Sequence, residues 1–160
     1  MGKKLITGIS HLAFNVSDMD RSIDFYCNSL GLKKIFEIII PENIAEIFPG
    51  NPIAAMAGQP GIAYLEVVPG EFIELFYPNP YTDHTSGGPN KDRIGYTHLS
   101  LTVSDIYEAA NNMKDRGIIL DSDITLGPDH TYQFWIKDPD GNRIELMQYT
   151  NKSFQVVHSG

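Results

Sequence analysis

The stretch His11-Leu12-Ala13-Phe14-Asn15-Val16-Ser17-Asp18 returns 87 residues later as His98-Leu99-Ser100-Leu101-Thr102-Val103-Ser104-Asp105. A second echo follows each copy: Phe72-Ile73-Glu74-Leu75-Phe76 in the first half and Arg143-Ile144-Glu145-Leu146-Met147 in the second. Each half therefore carries one His and one Glu in the same order. Repeats of this kind mark two copies of one supersecondary unit. Copies related by a pseudo-two-fold axis bring two imidazoles and two carboxylates together. Two His plus two Glu form a coordination shell for a divalent metal.

Working outward from the first copy, residues 7–16 alternate and are rich in β-formers, which predicts a strand. Ser17 or Asp18 then caps a helix with acidic residues in its first turn. Ile23, Phe25, Tyr26 and Leu30 follow at helical spacing, and Gly31 stops the helix. Residues 32–40 read as a strand ended by Pro41. Residues 42–59 contain Pro49-Gly50-Asn51-Pro52 and read as a short helix plus a loop. Residues 63–68 and 71–77 are two strands joined by the turn pair Pro69-Gly70.

The second half repeats the order. Residues 96–103 read as a strand, 104–116 as a helix with Gly117 after it, and 118–125 as a strand. Residues 132–137 and 143–149 are further strands around the tight turn Asp138-Pro139-Asp140-Gly141-Asn142. Between the halves, residues 78–94 lack periodicity and read as a linker. Each half is thus βαβββ, an α+β pattern. One such unit leaves a sheet face uncovered, which is why two are needed. The boundaries are one domain over 1–160, with module one about 6–77, linker 78–94, module two about 95–149 and a tail 150–160.

Alternation decides which way the four candidate donors face. Leu12, Phe14 and Val16 share one face of the first strand, while His11, Ala13 and Asn15 share the other. Leu99, Leu101 and Val103 oppose His98, Ser100 and Thr102 in the same way. Ile73 and Leu75 oppose Glu74, and Ile144 and Leu146 oppose Glu145. All four donors therefore lie on the sheet face away from the helix. Two clustered carboxylates resist ionisation unless a cation neutralises them, and a metal resolves that conflict.

Composition narrows the alternatives. The chain has 42% hydrophobic and 20% charged residues, a globular mixture. Twelve Lys and Arg against twenty Asp and Glu leave a net charge of −8 and no basic stripe, which opposes a nucleic-acid partner. The longest aliphatic run, Ile38-Ile39-Ile40, is too short for a membrane span, and residues 1–5 lack a signal-peptide apolar stretch. Cys27 is the single cysteine, so no intrachain disulfide forms and a reducing cytoplasm is expected. Cys27 itself reads as a structural or surface thiol rather than a nucleophile. His84 and His130 read as surface residues. Tyr132, Phe134 and Trp135 read as core or pocket walls. Phe154, Val156 and Val157 make the tail a candidate surface for a partner subunit in a homodimer, which the long linker would allow to be domain-swapped.

Residues 11–30 (HLAFNVSDMDRSIDFYCNSL) with Gly31-Leu32, and residues 136–146 (IKDPDGNRIEL), resemble the vicinal oxygen chelate superfamily. That group includes glyoxalase I, methylmalonyl-CoA epimerase, extradiol dioxygenases, fosfomycin-resistance thiol transferases and bleomycin-binding proteins. The resemblance runs from Thr7 to Gln148. It implies two βαβββ modules paired into a cupped mixed sheet around a central metal site. Glyoxalase I uses His, Glu, His, Glu in the chain order seen here, which implies His11, Glu74, His98 and Glu145 as ligands of one divalent ion. Nickel, cobalt, zinc, manganese and iron all suit that donor set.

The resemblance further implies proton transfer next to a carbonyl, through a metal-bound enediolate of a small-molecule substrate. Glu145 and Glu74 are the two candidate bases the repeat offers. Resemblance to glyoxalase I makes Glu145 the displaceable ligand and base, with Glu74 its counterpart. Bacterial glyoxalase I anchors glutathione partly through an Arg four residues after the first ligand His and an Asn four residues after the first ligand Glu. Here those positions are Asn15 and Pro78, and neither offers an Arg fork. Lys91 and Arg93 are the candidate substitutes. The segment 42–61 is longer than a minimal glyoxalase requires and is a candidate lid. The alternatives are an acyl-CoA epimerase, a three-ligand dioxygenase or thiol transferase, and a non-catalytic binding or resistance protein. A full set of four donors argues against the last.

Overall fold

A computed structural model of the chain describes residues 5–84 and 94–159. The chain divides into two compact units, Met1–His84 and Thr85–Gly160, so the division falls inside the segment 78–94. Each unit has its own four-stranded mixed sheet. With few helices beside them, these sheets give the α+β class the repeat predicted.

In the first unit, β1 (His11–Asn15), β2 (Lys33–Ile39), β3 (Pro60–Val68) and β4 (Glu71–Phe76) lie in the order β1-β4-β3-β2. The β1–β4 pair is parallel and the other two are antiparallel. Between the first two strands runs α1 (Met19–Ile23), capped by the Asp18 carboxylate, which accepts from the Arg21 N–H at 3.0 Å. The predicted α-helix does not continue to Leu30. Residues Asp24–Ser29 form a π-helical turn, and the Leu30 N–H reaches the Phe25 carbonyl at 3.0 Å. The wider turn places Tyr26 out of solvent against Phe14, ring centroids 6.5 Å apart.

Residues 42–59 fold as α2 (Ile44–Ile47) and a 3₁₀ turn, Pro52–Met56. The segment is tied at its base by Gly58 N–H to Ile40 O and Ile40 N–H to Gln59 O, at 2.8 and 2.9 Å. It is the main reason why 63 residues separate His11 from Glu74 but only 47 separate His98 from Glu145.

In the second unit, β5 (Leu99–Thr102) is followed by α3 (Ile106–Asp115), which Asp105 caps by accepting from the Tyr107 and Glu108 N–H groups, both at 2.9 Å. The remaining strands are β6 (Thr125–Leu126), β7 (Tyr132–Lys137) and β8 (Arg143–Gln148), giving the order β5-β8-β7-β6 with β5–β8 parallel. Asp138 organises the turn into β8: its carboxylate accepts from the backbone N–H of Asp140 and Asn142 and from the Asn142 amide, at 2.8–2.9 Å. Gly31 and Gly117 end the two helical segments at φ 84° and 81°, where a side chain would be strained. Thirteen positions separate Asp18 from Gly31 and twelve separate Asp105 from Gly117. The π turn takes up the extra residue.

The strand predicted over 118–125 shrinks to the two residues of β6. Asp121 N–H still bonds the Trp135 carbonyl at 2.7 Å, but the Trp135 N–H goes to the Ser122 hydroxyl at 3.1 Å. A side chain has replaced the ladder partner, as Ser and Asp readily do. In the tail, Phe154, Val156 and Val157 remain about half exposed. The short α4 (Phe154–Val157) packs on its own unit, with Ser153 fully buried, its hydroxyl donating to the His130 carbonyl at 2.9 Å, and Phe154 against the His130 ring.

Alternation holds in both sheets. Val16, Ala63, Leu65, Ile73 and Leu75 are buried in the first unit, and in the second Phe134, Ile136, Ile144 and Leu146 on β7 and β8 are buried together with Ile106 and Ala110 of α3, which packs on those strands. Each buried aliphatic side chain contributes about 1.5–3 kcal/mol by leaving water. His11, Ala13, Asn15, Ser100 and Thr102 lie exposed on the other face. No helix among the described residues is long and apolar enough to cross a membrane.

Candidate metal centre

Register places the donors alike in both units. Glu74 on β4 lies beside Ala13 of β1, two residues beyond His11, and Glu145 on β8 lies beside Ser100 of β5, two residues beyond His98. The result is a His–Glu pair in each unit. His11 Nε2 is 3.2 Å from the Glu74 carboxylate, and His98 Nε2 is 3.4 Å from the Glu145 carboxylate. The glutamates are 8% and 7% exposed, while the imidazole side chains are 36% and 31% exposed. The carboxylates are thus sunk in the sheet face and the rings stay open to solvent.

The spacing suits a shared cation. Donors about 2.1 Å from one ion lie about 3.0 Å apart when cis on an octahedron and about 3.4 Å apart on a tetrahedron. The other ring nitrogen of each His is occupied in a matching way. Ser10 Oγ lies 3.3 Å from His11 Nδ1, and Thr97 Oγ1 lies 2.6 Å from His98 Nδ1. With Nδ1–H donating to a hydroxyl, Nε2 keeps its lone pair for a metal. Within either unit, no third His, Cys, Asp or Glu joins the pair among the described residues.

An aromatic residue lies directly across the strand pair from each glutamate, Tyr64 from Glu74 and Trp135 from Glu145. The ring of Tyr64 meets His11 edge-on at 5.7 Å, and that of Trp135 meets His98 at 4.7 Å. Burial, then a hydrogen bond to Glu74 and its negative charge, push the Tyr64 hydroxyl above its ordinary value of 10. Phe36 stacks on the outer face of Tyr64 at 4.5 Å.

Four residues that alternation alone did not single out therefore frame the pairs: Ser10, Thr97, Tyr64 and the wall position of Trp135. Their signal is in the repeat. A hydroxyl residue directly precedes each His, and the 71-residue offset that relates Glu74 to Glu145 also relates Tyr64 to Trp135.

Other candidates sit apart from the pairs. Asn15 ends β1 on the face of His11, and Pro78 is half-buried just after β4. Lys91 and Arg93 lie outside the described residues. His84 is an exposed bend residue, and His130, at φ 60°, faces Phe154. Burial pushes the Cys27 thiol up, away from the reactive thiolate. Phe134 belongs to the core, whereas Tyr132 meets Tyr107 at 6.3 Å.

The sequence profile of the Glyoxalase/Bleomycin resistance protein/Dioxygenase superfamily matches residues 8–146, a span that contains both His–Glu pairs. The chain belongs to this superfamily. It is 30% identical over 143 residues to a probable lactoylglutathione lyase of Vibrio cholerae, covering 88% of this chain and 89% of that protein. It is also 30% identical over 142 residues to the lactoylglutathione lyase of Escherichia coli O157:H7, covering 86% and 90%. Among solved structures, a superfamily member from Sphaerobacter thermophilus is 26% identical with a TM-score of 0.64, over 91% of this chain and 100% of the other. A glyoxalase family protein from Enterococcus faecalis is 20% identical with a TM-score of 0.67, over 90% and 99%, a likeness of fold alone.

Proposed function

We propose that this chain is a metal-dependent lyase or isomerase of the glyoxalase I type, which moves a proton between adjacent carbons beside a carbonyl of a small substrate. The observation that carries the reading is the doubled His–Glu pair, at 3.2 and 3.4 Å, with a hydroxyl at Nδ1 of each ring. The lactoylglutathione lyase relatives support it. In this reading His11, Glu74, His98 and Glu145 together hold one divalent ion, from nickel, cobalt, zinc, manganese or iron. A homodimer belongs to the same reading, supported by the apolar side chains of Leu5, Ile6 and Ile9, which are 76–81% exposed.

When bound, the cation would supply Lewis acidity toward two adjacent substrate oxygens and stabilise the charge that develops there. Glu145 takes the proton from the carbon next to the carbonyl and returns it to the neighbouring carbon, so the proton count is unchanged. Glu74, tied to Tyr64, stays in place. Ser10 and Thr97 keep the two rings in the tautomer that leaves Nε2 free. Phe36 and Tyr64 form an aromatic wall beside the first pair. Asn15 and Pro78 give this face no Arg fork, so the thiol co-substrate differs from glutathione or is held elsewhere.

The test is metal content by elemental analysis of protein purified without a nickel column, beside Glu145→Gln. One tightly held transition metal, weakened in the variant, is the expected result, followed by turnover of a hemithioacetal or related carbonyl compound. No metal after incubation with nickel, cobalt, zinc, manganese or iron would overturn the reading.

A further inference from the structure

The residues two positions before the glutamates differ between the units. Phe72 fills that position in the first and lies 6.1 Å from the Tyr64 ring, edge-on. Arg143 fills it in the second, with its guanidinium carbon 4.2 Å from the centre of the Trp135 ring. The repeat therefore does not require a cation there. Trp135 is the cross-strand neighbour of Glu145 and meets His98. Guanidinium, indole and the His–Glu pair thus lie along one face of one sheet.

The local charge is unbalanced. Lys137 sits opposite Arg143 in the register, and two like charges so placed repel. Asp121 pairs with Lys137 at 3.1 Å. Among the described residues no carboxylate pairs with Arg143, although the chain carries eight more acidic than basic residues. Stacking fixes the plane of the guanidinium and leaves its edge available for a bidentate contact with a carboxylate.

We infer that Arg143, seated on Trp135, binds a carboxylate carried by the substrate itself. Residues two apart on a strand are separated by about 6.7 Å. The carboxylate would then stand three or four atoms from the oxygens facing Glu145, which describes a short carbonyl acid. This rests on the reading of Glu145 as a site residue.

Trp135 is the only tryptophan in the chain, so its fluorescence reports on this spot. The test titrates the full-length, nickel-loaded protein at fixed ionic strength with two hydroxamates, succinic monohydroxamate and butyrohydroxamate. They share the chelating oxygens and differ in a terminal carboxylate. The carboxylate-bearing compound is expected to quench with an affinity about tenfold or more above the neutral one. Arg143→Met should remove that difference, and Arg143→Lys, which keeps the charge without the fork, should retain part of it.

Equal affinities in the parent protein, or a difference that survives in Arg143→Met, would overturn the assignment. If neither hydroxamate binds, the metal reading fails, and metal-free protein titrated with succinate and with succinamide decides Arg143 on its own. Saturable quenching by succinate alone, lost in Arg143→Met, upholds the anion site, and its absence overturns it.

Discussion

Around Glu74 the sheet face carries Phe36, Tyr64 and Phe72, whereas around Glu145 it carries Trp135, Arg143 and Lys137. The donors, the hydroxyl behind each His and the aromatic residue across from each Glu are the same in kind. What differs is the wall. One carboxylate is tied by a phenol among hydrocarbon rings, and the other shares its strand pair with Arg143 and Lys137. The repeat thus keeps the proposed metal donors constant while the residues around them diverge. A carboxylate held by Tyr64 suits a fixed ligand, and one without such a tether suits a mobile base.

The largest effect is expected from breaking this division at the carboxylates. Glu145→Gln should lower kcat by about 10²–10⁴, the range for loss of a general base. Glu74→Gln should chiefly weaken metal affinity, with kcat partly recovered at saturating nickel. Steady-state kinetics at graded metal concentration separate the two, and equal losses of kcat would erase the distinction.

The comparison sharpens in the cores. Ile73 and Ile144 occupy matching positions and are 1% and 0% exposed. Truncating either to Ala should cost about 2–5 kcal/mol in urea unfolding. Values differing by more than that range would show that the two cores are not equivalent.

Behind the rings, Thr97→Ala should weaken metal binding about 10- to 100-fold, as loss of a group supporting a ligand does. Ser10→Ala should cost less, because its contact is longer, 3.3 against 2.6 Å. Isothermal titration with nickel would reveal the reverse order if the rings are held differently.

The smallest effect lies at an edge peculiar to the first unit. The Tyr77 hydroxyl donates to Glu37 at 2.7 Å, and burial, that bond and nearby carboxylates push it up to about 12. Its contribution to stability is complete below pH 10 and is lost as pH rises toward 12. Glu37, which Lys34 and then Tyr77 hold below its ordinary 4.5, contributes above that pH and ceases to as pH falls. An alkaline difference spectrum of Tyr77→Phe against the parent should lack one late-titrating phenol. A difference centred near pH 10 would contradict the geometry.

Much of this was legible in the chain. Period-two alternation put His11 and Glu74 on one face and Leu12 and Ile73 on the other because a pleated strand permits nothing else. The Asp caps and Gly stops carried the helix limits. The π turn was not legible, since Phe25, Tyr26 and Leu30 fit helical spacing whether the ladder runs to the fourth or the fifth residue. The strand over 118–125 failed because Ser122 competes for the Trp135 N–H, a side-chain event that hydrophobic pattern does not record. Ser10 and Thr97 were visible as letters, but their value lies in which ring nitrogen they face.

One residue more in the first helical segment than in the second has left the donor faces superposable in register. The π turn absorbs that insertion locally, with Tyr26 still buried and Gly31 still the stop. The extra residue in this helical segment is therefore not transmitted to the strands that carry the candidate donors. For anyone grafting loops, tags or a sensor element into this protein, the stretch Asp24–Ser29 is the place where the scaffold has already accepted a change in length.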